Sequence, residues 1–86
     1  MHGPEKKIVY VIRSDWDPSK HYTGITNDVQ ERLYWHNNSP RGHTLDNRPW
    51  SLVVTIEFAT EKAAVRFEKY LKGGSGRAFA RRHFSD

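Results

Sequence analysis

Residues 7–13 read KIVYVIR, a run of β-branched and aromatic side chains that is apolar on both alternating faces. A strand with one wet face alternates apolar and polar residues; one without must be covered on both sides. In a chain of 86 residues that cover has to come from one small domain using most of its apolar side chains. SDWDPSK follows as a loop of about seven residues, and HYTGIT (21–26) reads as the returning strand of a hairpin. Asn27 with Gln30 resembles a capping box, which predicts a helix over 28–37 that stops in NNSPRG. Residues 38–49 form a long polar connection, near the ~12-residue length at which loops tend to be functional or disordered. WSLVVTIEF is a third strand, and Thr60 caps a second helix, EKAAVRFEKYLK, which Gly73-Gly74 ends. Ser75 can cap a short basic third helix, GRAFARRHF. The order is β-β-α-β-α-α, and the simplest closure is an α+β domain, a small three-stranded antiparallel-type sheet flanked by helices.

No apolar stretch approaches the ~20 residues of a membrane span. MHGPEKK leads into only five uncharged residues before Arg13, too few for a secretory core, so the expected compartment is the cytoplasm. With no cysteine, disulfides and thiolate metal sites are excluded, and the five histidines show no ligand-type spacing for zinc. The net charge of +4 is unevenly placed. Residues 62–86 hold seven basic side chains against two acidic ones, whereas residues 1–61 hold seven against eight. A basic C-terminal third on a neutral body suits a polyanion such as nucleic acid, although a merely solubilising helix face has the same composition.

Polar residues fall where the core should be. On a wheel of ~100° per residue with Val29 at zero, Leu33 lies at about 40°, His36 at about 340° and Arg32 at about 300°. His36 thus sits inside the apolar stripe of the first helix and Arg32 borders it; Trp35, at about 240°, points away and is expected to pack elsewhere. The second helix puts Glu68 about 40° from Ala64, beside a stripe of Ala64, Phe67 and Leu71. A carboxylate there is costly unless it is paired or binds a cation, and Arg32 or Lys72 could each pair it. In the hairpin, an even register sets Tyr10 opposite Tyr22 or Gly24 with both hydroxyls on one side; an odd one separates them. Gly24 leaves room for a group to approach the backbone.

Two phenols, an arginine, an imidazole and a carboxylate are parts of a phosphodiester-cleaving site. Arginine forks phosphate oxygens and stabilises charge building on phosphorus. A carboxylate can hold a divalent ion that assists the leaving oxygen, and a phenol of lowered pKa can take a proton from water. Each piece is weak alone.

The order Ile8-Val9-Tyr10, Tyr22-Thr23-Gly24, NDVQERLYWHN and FEKYLK resembles the GIY-YIG nuclease family, over about residues 8–84. RPW and YLKGGSGRAFARRHF are similar to its small stand-alone bacterial branch in particular. The resemblance implies that Tyr10 and Tyr22 are the two motif tyrosines, Arg32 the helix arginine and His36 the histidine one turn later. It implies that Glu68 is the single carboxylate ligand of one Mg²⁺ or Mn²⁺ ion. Ile8 replaces the first motif's glycine and Thr23 the second motif's isoleucine. Ile25 stands where repair-type members carry lysine, and no asparagine follows Gly74.

These readings lead to a metal-dependent DNA endonuclease of weak sequence specificity, acting in DNA repair or processing. In it Tyr10 or Tyr22 activates water, His36 accepts or relays the proton, Arg32 binds the scissile phosphate and Glu68 holds the metal. The alternative is a module of the same fold that grips nucleic acid without cutting it. A monomer is expected. Lys72, Arg77, Arg81 and Arg82, with Arg41 and Arg48 of the long loop, are expected to form a rim that tracks DNA phosphates, whereas Lys62 and Arg66 face outward.

Overall fold

The computed structural model describes residues 5–84. Three strands, β1 (Ile8–Ser14), β2 (His21–Thr26) and β3 (Trp50–Glu57), form one sheet in the order β2-β1-β3. Both pairings are antiparallel, with a register shift against β3 between Val11 and Ile12. Helix α1 (Val29–Asn38) follows the hairpin, and α2 (Glu61–Leu71) and α3 (Gly74–Phe84) follow β3; a short 3-10 turn, Leu45–Asn47, lies in the long connection. The α+β order is the one the sequence predicts.

The doubly apolar strand is the central one, and its two faces carry two separate cores. Val9 and Val11 point to one side, where Ala64 and Leu71 of α2 close over them with Phe67, Phe79 and Phe84. Tyr10 and Ile12 point to the other, against Trp50, Tyr22 and Leu33 of α1. Helices α2 and α3 meet closely because Gly76 has no side chain: a Cβ there would lie 1.7 Å from the Tyr70 carbonyl oxygen. Thr60 caps α2 by accepting from the Ala63 amide at 3.1 Å.

Helix α1 departs from the sequence reading by one residue. Its N-cap is Asp28, whose carboxylate accepts from the Glu31 amide at 3.1 Å, in place of an Asn27–Gln30 box. Buried Thr26 is the reason: its hydroxyl accepts from the Asp28 amide at 3.0 Å and donates to the Asp28 carbonyl, so the chain turns one residue later. The helix is polar nearly all round, and the residue it buries is His36.

Candidate active site at the edge strand

The hairpin register is even. Tyr10 lies opposite Gly24, and Ile12 opposite Tyr22, so both phenols are on the α1 side of the sheet. The Tyr10 ring leans across the position where residue 24 would carry a side chain; a Cβ on Gly24 would lie 2.5 Å from the Tyr10 hydroxyl. Gly24 therefore creates the space in which that hydroxyl sits. The Tyr10 and Tyr22 ring centroids are 6.3 Å apart, and the His36 ring lies 5.7 Å from the first and 4.8 Å from the second.

His36 is 0% exposed and fully satisfied. Its Nε2 is 2.7 Å from the Tyr10 hydroxyl and its Nδ1 is 2.8 Å from the Thr44 hydroxyl. Burial lowers the imidazole's pKa to about 4, helped by the positive charges of Arg32 and Arg48. A neutral imidazole carries one ring proton, so Tyr10, His36 and Thr44 form a chain polarised in a single direction. The Tyr10 phenol is pushed above its usual range, first by burial and also by the Tyr22 and Glu68 oxygens; the Arg32 guanidinium opposes this as a hydrogen-bonding partner and as a charge.

Arg32 is half-buried, and its guanidinium carbon stands 4.4 Å above the centre of the Trp35 ring. That ring also meets His36 edge-on at 5.2 Å. Trp35, expected to pack away from the site, instead supports it from below, by a cation–π contact that narrows the arginine's rotamers. Glu68 comes from α2, on the other side of the sheet, and its charge is felt at the Tyr10 phenol. Its Oε2 accepts from Lys72 Nζ at 2.9 Å, one of the two pairings the sequence offered. The cluster and the carboxylate can share one site because β2 is an edge strand, at which the two layers come within reach of the same space.

The cations of the expected rim divide. Lys72, Arg77 and Arg81 line one groove between the sheet and α3. Arg82 is exposed and outside that lining, and Arg41 is exposed in the long loop. Arg48 is engaged within the fold. Its Nε donates to the His36 carbonyl at 2.6 Å and its Nη2 to the Ser39 carbonyl, so the guanidinium ties α1 to the loop. Thr44 and Asn37 carry no role in the sequence reading, and Trp50 enters it only within RPW and the third strand, yet the three hold the same loop. The Trp50 indole donates to the Thr44 carbonyl at 2.7 Å, and Asn37 exchanges two hydrogen bonds with the Trp50 backbone at 2.7 and 3.0 Å. The one clue was the polar loop's length.

The donors present suit a hard divalent ion in a particular way. No group of three or more His, Cys, Asp or Glu side chains among the described residues could enclose a metal. Glu68 offers a single carboxylate, already drawn to a cation. Mg²⁺ is bound in this manner when it keeps most of its waters and takes its other ligands from a substrate phosphate; zinc is not.

A fixed arginine, a buried phenol–imidazole chain and a cation-seeking carboxylate at an open sheet edge are the equipment of a domain that handles phosphodiesters. The kinship of the chain agrees. A model of the GIY-YIG catalytic domain matches residues 6–82, and this chain belongs to the GIY-YIG family. It is also 32% identical, over an 85-residue alignment, to the structure-specific endonuclease subunit SLX1 of the yeast Candida dubliniensis. That alignment takes in 91% of this chain and 28% of the relative, so the chain spans little more than a quarter of that protein's length.

Proposed function

We propose that this chain is a divalent-metal-dependent endonuclease that hydrolyses DNA phosphodiester bonds with weak sequence specificity, in repair or processing of DNA. The observation that carries the reading is the buried hydrogen-bonded chain from Tyr10 through His36 to Thr44, beside Arg32, in a domain of the GIY-YIG family. Arg32, steadied on Trp35, holds the scissile phosphate and stabilises the charge that grows on it. Tyr10 takes a proton from the attacking water as its own proton passes to His36 Nε2, while Nδ1–H donates to Thr44. The imidazolium so formed is disfavoured by burial and by two guanidinium groups, so Nε2 returns its proton to the Tyr10 oxygen as that phenol passes one to the leaving oxygen, and the chain resets. Tyr22, half-buried beside the same imidazole, limits the entry of other water and lines the path of the DNA. Glu68 would hold one Mg²⁺ or Mn²⁺, which when bound supplies charge neutralisation at the phosphate and the leaving oxygen.

One observation favours the non-cutting alternative, a nucleic-acid-binding module of the same fold: Glu68 already has a cationic partner in Lys72. Nicking of supercoiled plasmid with Mg²⁺ or Mn²⁺ separates the two. Under the endonuclease reading the wild-type chain nicks, and Arg32→Ala and Glu68→Ala do not. Intact plasmid under each metal, with salt-sensitive binding retained, would establish the binding module instead. The chain is expected to work as a monomer in the cytoplasm; no described helix is long and apolar enough to cross a membrane.

A further inference from the structure

A groove of about 560 Å³ lies on the face of the sheet opposite His36, between β1, β2, β3 and helix α3. Its size falls in the ~300–1,000 Å³ range of sites that bury small organic groups. Its floor is apolar, made by Val11, Val53, Leu71, Ala80 and Phe84, and its rim carries Lys72, Arg77 and Arg81. Among the described residues no carboxylate lines it. At the β2 side Tyr22 is shared: the same ring lines the groove and stands 4.8 Å from the His36 ring. Lys72 is shared too, between the groove and Glu68.

We infer that this groove seats an unpaired strand of DNA that runs past Tyr22 into the candidate active site. A duplex displays its phosphates and hides its base faces, so it would meet the cations and leave the apolar floor unused. A single strand displays both, and the groove has matching surfaces for both: guanidinium and ammonium groups for phosphate, Phe84 and the aliphatic floor for base faces. Charge complementarity points the same way, since Arg77 and Arg81 follow one another by a helical turn with no acidic side chain between them in the lining. The inference deepens the endonuclease reading by naming a substrate class, and it rests on that reading for what is cut but not for what is bound.

The test is therefore made in EDTA, where no cleavage can occur. Fluorescence anisotropy with a short oligothymidylate and with a duplex of matched length is measured on wild type, Arg77→Ala and Arg81→Ala across a salt series. Each exposed arginine removed should shallow the log–log salt slope for the single strand by about 0.7, with a smaller change for the duplex. Amide chemical shifts of the wild-type protein supply a readout that needs no variant. Oligothymidylate should move Thr23, Val53 and Arg81, and neither inorganic phosphate nor a polyglutamate peptide should reproduce the pattern. Shifts confined to α1 and the long loop would overturn the inference. So would the same pattern from phosphate alone, which would make the groove an anion site, or from polyglutamate, which would make it a peptide site. A strand seated in the groove of a chain that nicks no plasmid under any metal would refute the endonuclease reading and leave this inference standing.

Discussion

His36 is a buried imidazole that stays neutral far below the pH at which an exposed one would charge. Its folded pKa of about 4 lies below the ordinary 6.5, so the unfolded chain binds more protons across that window. The sign follows: stability is fully present above about pH 6.5 and is lost as pH falls toward 4, by of order 2–3 kcal/mol. Urea midpoints measured from pH 7 to pH 4 should decline in wild type and decline much less in His36→Gln. A second expectation concerns Gly24. Gly24→Ala sets a methyl group against the Tyr10 hydroxyl, with its Cβ only 2.5 Å away, so the phenol must leave His36. Overpacking of this kind costs about 1–3 kcal/mol, and a displaced catalytic group can cost ~10²-fold in rate. Thermal denaturation and nicking rate measured on the same sample would check both effects. In the sequence this glycine read only as open space; that the space is filled by a tyrosine across the hairpin depended on a register the seven-residue loop did not fix.

At the scale of elements, the strands and helices follow from periodicity and caps, whereas the connection between α1 and β3 follows from ties that span six to thirteen residues. Arg48, Thr44, Asn37 and Trp50 make those ties with side chains of ordinary loop composition, which no local pattern marks. That is why Arg48 read as a phosphate contact. Arg48→Ala leaves the His36 and Ser39 carbonyls without this donor and should cost about 1–3 kcal/mol, with the salt slope of DNA binding unchanged. Arg81→Ala should do the reverse, leaving stability near wild type and shallowing the slope. Equal slopes for the two would return Arg48 to the rim. Trp35 was misplaced for a related reason: a helical wheel reports direction from the axis, not how far a neighbouring arginine will fold over a ring. Lys72 joins α2 to the groove. Its pair with Glu68 is half-exposed and worth less than ~1 kcal/mol, so Lys72→Ala should fold normally. By freeing the carboxylate it should tighten Mn²⁺ binding several-fold by calorimetry while weakening DNA binding.

Over the whole molecule, one doubly apolar strand divides the domain into two cores, and the candidate site lies where the division ends, at edge strand β2. The proposed site draws on both layers there: Tyr10, Arg32 and His36 from one side, Glu68 and Lys72 from the other. The α+β order was legible from periods and caps, although α3 starts at Gly74, ahead of the expected Ser75 cap; the candidate site residues stood out because polar groups interrupted apolar stripes. The measurement that tests the account most directly is single-turnover cleavage, in Mg²⁺, of a panel of duplex, nicked, flapped and single-stranded oligonucleotides by wild type, Tyr10→Phe, Arg32→Ala and Glu68→Gln. The account predicts cleavage by wild type, fastest where an unpaired strand adjoins the cut, and losses of ~10²-fold or more in each variant with binding in EDTA preserved for Tyr10→Phe and Glu68→Gln. Wild-type rates in Tyr10→Phe and Glu68→Gln, or no cleavage of any substrate by the wild-type chain, would contradict it.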